Sequence, residues 1–191
     1  ARYSQNILLH YGGTSIKKYG IYDRITSSLR AAGVSYIELG GVKQNPSAKM
    51  VYQGIELCKK ANIDFILAVG GGSVIDSAKA ISIGVSWKGD FYDFFEGKQT
   101  PQSSIRMAAV LTIAGSGSES NQGSVITHEE KGVKIPYAHP LMFPVFSILN
   151  PELTYTVNEY QTACGIVDAI THILERYFTN TTFVDCTDGI G

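Results

Sequence analysis

Apolar residues fall into short continuous runs, separated by longer stretches in which they recur every third or fourth position. The runs at 6–11, 34–39, 65–69, 107–111 and 146–149 have the length and branched-residue content of strands. Between them, 16–32, 47–61 and the stretch after Gly72 carry the helical period, the second with Met50, Ile55, Leu57 and Cys58, the third with Val74, Ala78 and Ile81. Gly33 and Asn62 stand where a helix ends. This alternation of strand and helix with short connections predicts a parallel sheet with right-handed crossovers and ligands at the carboxyl ends of its strands.

The second half is less regular. The aromatic and charged stretch 90–102 is expected to pack over the domain edge. The segments 125–127 and 134–135 flank a Lys131-Gly132 turn as a small hairpin, and Pro136, Pro140 and Pro144 mark irregular chain. After Asn150-Pro151 the pattern becomes helical over 159–177, with Ile166, Ile170, Ile173, Leu174 and Tyr177 at helical spacing. A boundary is expected between 151 and 158, giving an α/β domain over 1–150 and the start of an all-helical domain over 151–191.

The strand at 65–69 stops on Gly70-Gly71-Gly72, and Ser73 is expected to cap the helix that follows. Three glycines remove every Cβ at the turn, allow positive φ and let a ligand approach the backbone, so the helix N-terminus suits a phosphate. The run has neither the Lys-Ser/Thr pair of a Walker loop nor the spacing of the G-x-G-x-x-G fingerprint, and a tight βα turn without a ligand is the alternative. The same grammar recurs at Gly12-Gly13-Thr14-Ser15, with Lys17 and Lys18 close behind, as an anion site or a plain capped helix. A third set of small donors, 112–121, follows the strand at 107–111, where hydroxyls suit a ribose, a phosphate or a carboxamide, or form only a polar loop.

Charge and cysteine narrow the partners. The 191 residues hold 16 Lys+Arg against 17 Asp+Glu, a net charge of −1 that offers no field for nucleic acid or an anionic membrane. The 3 Cys are odd in number and far apart, against a disulfide framework and for a reducing compartment. No apolar run reaches the length of a membrane span, so a cytoplasmic location is expected. The chain opens almost directly on a strand and closes at Gly191 without a completed element, as expected of a piece of a longer polypeptide.

Asp168 and His172 lie four residues apart amid isoleucines, hence on one helix face. They form an internal ion pair or two ligands of a shared metal ion; a catalytic site would need about two more ligands.

Taken together, five motifs give a resemblance. Gly70-Gly-Gly-Ser-Val-Ile-Asp-Ser-Ala-Lys79, Tyr92-Asp-Phe-Phe-Glu-Gly97, the 112–121 run, Asn150-Pro-Glu-Leu-Thr154 and Gly165-x-x-Asp168-x-x-x-His172-x-x-Glu175 stand in this order. The chain resembles the iron-containing (group III) alcohol dehydrogenases, most closely the butanol dehydrogenase and broad-range aldehyde reductase branch. The resemblance implies a Rossmann-like parallel sheet followed by a helical metal-binding domain, the dehydroquinate synthase-like architecture. It implies a hydride transfer between NADP(H), or NAD(H), and a small primary alcohol or aldehyde, with a divalent metal, iron or zinc, polarising the substrate oxygen.

By the same resemblance Gly71, Gly72 and Ser73 hold the pyrophosphate, and Asp76 joins them. Thr112, Ser116, Asn121, Lys134 and Leu153 match further cofactor positions, and Asp168 and His172 match the first two metal ligands. The family's two remaining histidines are absent here, and His128 and His139 do not match them, so the 191 residues alone are expected to be inactive. No side chain stands out as a general acid. The full-length form is expected to be a homodimer. NAD-using members carry an acidic residue after the first strand; Gly13 stands there, and Gly12, Gly13, Thr14, Ser15 and Lys17 are expected to receive the 2′-phosphate of NADP(H). Rival readings are a glycerol dehydrogenase or dehydroquinate synthase of the same fold, and a nucleotide-binding module without turnover.

Overall fold

The computed structural model describes residues 2–178. It divides after Thr154 into two units, each described by itself. In the first, β1 (Asn6–Tyr11), β2 (Ser35–Leu39), β3 (Phe65–Gly70), β4 (Arg106–Leu111) and the two-residue β7 (Ser147–Ile148) form a parallel sheet in the order β2-β1-β3-β4-β7. Between β4 and β7 the chain forms an antiparallel pair, β5 (Gly123–His128) and β6 (Val133–Ala138), around the turn that contains Lys131 and Gly132.

Alternation along the strands sorts the core into two layers. Leu8, Ile66, Ala68, Met107 and Ala109 face α3 (Ala48–Lys60) and α4 (Gly72–Val85), while Ile7, Leu9, Leu67, Val69 and Val110 face Ile16, Ile21 and Leu29 on the other side. Every residue of β3 is buried, as a central parallel strand requires. The two helices of the first layer approach closely because a glycine on each meets an isoleucine on the other: a Cβ on Gly54 would lie 2.4 Å from Ile81 Cδ1, and one on Gly84 would lie 2.3 Å from Ile55 Cδ1.

Several expectations change. The single helix over 16–32 is two, α1 (Ser15–Lys18) and α2 (Ile21–Ala31), because Gly20 takes a left-handed conformation with φ 71° and breaks the run. The aromatic part of the 90–102 stretch is core, not an edge cover: around the short α5 (Tyr92–Phe95), Phe91, Tyr92, Phe94 and Phe95 are all buried in the α3/α4 layer, while 97–100 are exposed. The last strand shrinks from the expected 146–149 to β7, with Phe146 and Leu149 exposed.

One buried polar contact ties the sheet to α4. His10, fully buried on β1, meets the Leu39 carbonyl at Nδ1 (2.8 Å) and Ser77 Oγ at Nε2 (2.9 Å). A carbonyl only accepts, so Nδ1 carries the proton and Nε2 accepts from the serine hydroxyl. Burial pushes the imidazole pKa down to about 4.

The second unit contains α6 (Glu159–Tyr177), whose start is marked by Asn158 Oδ1 accepting the Gln161 N–H at 2.9 Å. No described helix is long and apolar enough to cross a membrane.

Candidate functional site

Strand order places the site. From β1 the chain crosses to β2 on one side, then back over to β3 on the other, so the carboxyl ends of β1 and β3 flank the point where the winding reverses. Gly12 and Gly13 follow β1, Gly70 ends β3, and Thr112 follows β4 and donates its N–H to the Gly70 carbonyl at 3.1 Å. A Cβ on Gly12 would lie 3.6 Å from Val74 Cγ2 in the first turn of α4. The three turns singled out from sequence therefore share one edge.

The triple glycine works by space and not by left-handed backbone, since Gly70, Gly71 and Gly72 are absent from the positive-φ positions. A Cβ would fall 2.5 Å from Val74 Cγ2 at Gly70, 2.4 Å from Ile113 Cγ2 at Gly71 and 2.2 Å from Ser116 Oγ at Gly72. Ser73 is not the cap. Helix α4 starts two residues earlier with Gly71 in the cap position, no side chain capping it and no acidic residue in its first turn. An uncapped, charge-free N-terminus of a 14-residue helix fits a phosphate group.

Beside it lies a cleft of about 460 Å³ lined by Asp76, Ser116, Ser118, Asn121, Val125 and Tyr137, among others. Asp76 shapes its floor: Oδ1 accepts the Ser118 hydroxyl at 2.6 Å, Oδ2 accepts the Val125 N–H at 3.0 Å, and its carbonyl accepts the Ser124 hydroxyl at 2.9 Å. Burial holds the Asp76 carboxyl above its usual range, opposed by those hydrogen bonds. One turn on, Lys79 Nζ donates to Ser118 Oγ, Asn121 Oδ1 and the Gly123 carbonyl. Burial pushes Lys79 down to about 8, against the pull of Asp76 and Glu119. Lys79, Ser118, Ser124 and Tyr137 were not singled out from sequence; the signal available for Lys79 was its place three residues after Asp76 on an otherwise apolar helix.

The first turn is more crowded than its sequence suggests. Gly13 is open, with nothing within 4 Å of a Cβ, and Thr14 and Ser15 begin the one-turn α1. Lys17 Nζ lies 4.8 Å from the Tyr22 ring centroid and 5.5 Å from that of Tyr11. Both tyrosine hydroxyls donate to Glu38 near the end of β2, at 2.7 Å from Tyr11 and 2.5 Å from Tyr22. Burial would raise Glu38, but the tyrosine hydrogen bonds and Lys17 outweigh it and hold the carboxyl below its usual range. An acidic group thus reaches this corner from β2, although none occurs in the first turn itself. Lys134 Nζ donates to Asn45 Oδ1 at 2.7 Å, and Leu153 is buried in the core layer with Val69 and Val110.

On α6, Asp168 Oδ2 lies 3.6 Å from His172 Nε2, and both side chains are exposed at 59% and 66%. The expected shared face is present. Among the described residues no cluster of three or more His, Cys, Asp or Glu could hold a metal ion.

A family model described as iron-containing alcohol dehydrogenase matches residues 1–151. The chain belongs to this family. It is 47% identical over 186 residues to the probable NADH-dependent butanol dehydrogenase 1 of Bacillus subtilis, covering 96% of this chain and 48% of that protein. It is 36% identical to the NADPH-dependent aldehyde reductase YqhD of Escherichia coli, covering 91% of this chain and 45% of the relative. Among solved structures, the NADH-dependent butanol dehydrogenase A of Thermotoga maritima matches with a TM-score of 0.87 and 42% identity, over 91% of this chain and 44% of that one. The chain spans about half the length of the curated relatives it matches.

Proposed function

We propose that the full-length protein is an oxidoreductase that transfers a hydride between NADP(H) and a small aldehyde or primary alcohol. The observation that carries the reading is the meeting of three glycine and hydroxyl turns at the winding reversal, one of them opening an uncapped helix, in a chain of this family. The α4 N-terminus behind Gly71, Gly72 and Ser73 would take the pyrophosphate. Asp76, Ser116 and Asn121 would line the cleft for the nicotinamide half, with Thr112, Lys134 and Leu153 as further cofactor positions.

Support for NADP(H) comes from the open Gly13, the Thr14 and Ser15 hydroxyls and Lys17, which would accept a 2′-phosphate without a carboxylate in that turn. A second reading, NAD(H), is favoured by Glu38 and by relatives named for NADH.

Asp168 and His172 supply an oxygen and a nitrogen donor one helical turn apart, a set that suits iron or zinc and that would be completed by ligands elsewhere in the full-length protein. When bound, the nicotinamide supplies the hydride and the metal a Lewis acid for the substrate oxygen. Residues 151–191 would then begin the helical metal-binding domain. The resemblance and the net charge of −1 support a cytoplasmic homodimer without nucleic-acid or membrane partners.

The test is dinucleotide-dependent reduction of butanal by the full-length protein, with metal content measured alongside. Asp168→Ala and His172→Ala are expected to lose metal and turnover together and to keep dinucleotide binding. Full metal content and full rate in either variant would make the pair a helix-face ion pair. No turnover of any small aldehyde or alcohol with either dinucleotide would overturn the activity.

A further inference from the structure

Lys79 is 0% exposed in the middle of α4. Its ammonium has three protons, and they go to Ser118 Oγ at 2.9 Å, Asn121 Oδ1 at 2.9 Å and the Gly123 carbonyl at 2.8 Å. Two of the acceptors belong to the loop between β4 and β5 and the third is the first residue of β5, and two have a second task. The Ser118 hydroxyl donates to Asp76, and Asn121 Oδ1 also accepts the Gly123 N–H at 2.8 Å while its amide donates to the Gly117 carbonyl at 3.0 Å. The loop thus folds around the ammonium much as carbonyl and hydroxyl oxygens fold around a monovalent cation.

A buried charge is costly, and an apolar side chain of equal length would fill the same volume without that penalty. What the ammonium adds is the fixed position of three acceptor oxygens. We propose that Lys79 is a positioning residue of the dinucleotide site: acting through Ser118, Asn121 and Gly123, it holds residues 116–123 in the shape that walls the cleft. It does not line the cleft itself. The proposal rests on the dinucleotide reading of that cleft, and the experiment separates the two.

The full-length protein, Lys79→Met and Lys79→Ala are compared by hydrogen exchange at the Gly123 and Val125 amides, by calorimetry with NADPH and NADH, and by steady-state kinetics. In the wild type those amides are expected to be protected without ligand. In Lys79→Met, β3 and α4 stay protected, the loop amides lose protection, and dinucleotide affinity falls about tenfold to a hundredfold, because binding must then order the loop. The loss falls on KM for the dinucleotide more than on kcat. Adding n-propylammonium to Lys79→Ala restores loop protection, and n-propanol does not.

A Lys79→Met protein with wild-type loop protection and affinity overturns the proposal, as does a wild type whose loop amides exchange freely. If Lys79→Met does not fold, recovery of Lys79→Ala by n-propylammonium alone supports the anchor and its failure overturns it. If the wild type binds neither dinucleotide while Lys79→Met still frees the loop, the dinucleotide reading falls and the anchor stands.

Discussion

Replacing Gly71, the N-cap residue of α4, by alanine puts a methyl group 2.4 Å from Ile113 Cγ2, about 1 Å inside ordinary contact distance; no side-chain cap bond is lost and no positive φ is involved. The cost is that of overpacking, about 1–3 kcal/mol, which for a chain of this size lowers Tm by roughly 3–10 °C. If the α4 N-terminus holds the pyrophosphate as proposed, the strain at Gly71 also displaces its backbone from the phosphate, so dinucleotide affinity is expected to fall by at least roughly tenfold, a change of about 1.4 kcal/mol. The two effects share one cause and should be relieved together. With Cγ2 removed by Ile113→Ala, the remaining Ile113 neighbours, Cβ and the carbonyl oxygen, stand 3.9 Å from the new methyl, ordinary contact. Urea unfolding of both single variants and the double variant should therefore show a favourable coupling of about 1–2 kcal/mol, and calorimetry should show dinucleotide binding recovered in the double variant. Additive stabilities would refute the steric account, and wild-type affinity in Gly71→Ala would refute the cradle.

Gly13→Asp meets no steric barrier, and its carboxylate a few ångströms from a 2′-phosphate should cost about 1–4 kcal/mol; the kcat/KM ratio of NADPH to NADH should be above one in the wild type and fall at least about tenfold, and a wild type that prefers NADH would sink the NADP(H) reading. His10 titrates near 4 when folded and near 6.5 when unfolded, so the unfolded state binds the extra proton between those values and stability falls as pH drops from 6.5 to 4, by about 3 kcal/mol in all. His10→Gln should flatten that slope in chemical unfolding measured across the window; an unchanged slope would show that other groups set it.

What the sequence disclosed follows from which interactions are local. The runs at 65–69 and 107–111 were readable because a strand buried on both faces must be apolar at every position, and the helix at 159–177 because its pattern is periodic. The split after Lys18 was missed because Gly20 is ambiguous, tolerable within a helix or able to break it. The aromatic stretch at 90–102 misled because its charges suggested solvent, whereas Glu96 uses its carboxylate on Lys98 and Lys131 while the rings turn inward. At the site, the glycines were visible but their reason was not, because Ile113 and Ser116 arrive from about forty residues downstream. Glu38 and Lys79 were hidden for the same cause: their hydrogen-bond partners lie far away in sequence, and only the fold brings them together.

That strand order also governs how the chain reaches its fold. Ile7 pairs with Phe65 and Phe65 with Arg106, so β3 acquires its neighbours only after two long segments, each holding at least one helix, have closed on themselves. Loop-closure entropy is spent before any of those ladders repays it, which places folding in the slow, non-local regime. Since β3 is apolar at every position, it has no half-assembled arrangement that keeps it out of water. The sheet and the glycine turns at its carboxyl edge should therefore form together, in one cooperative step.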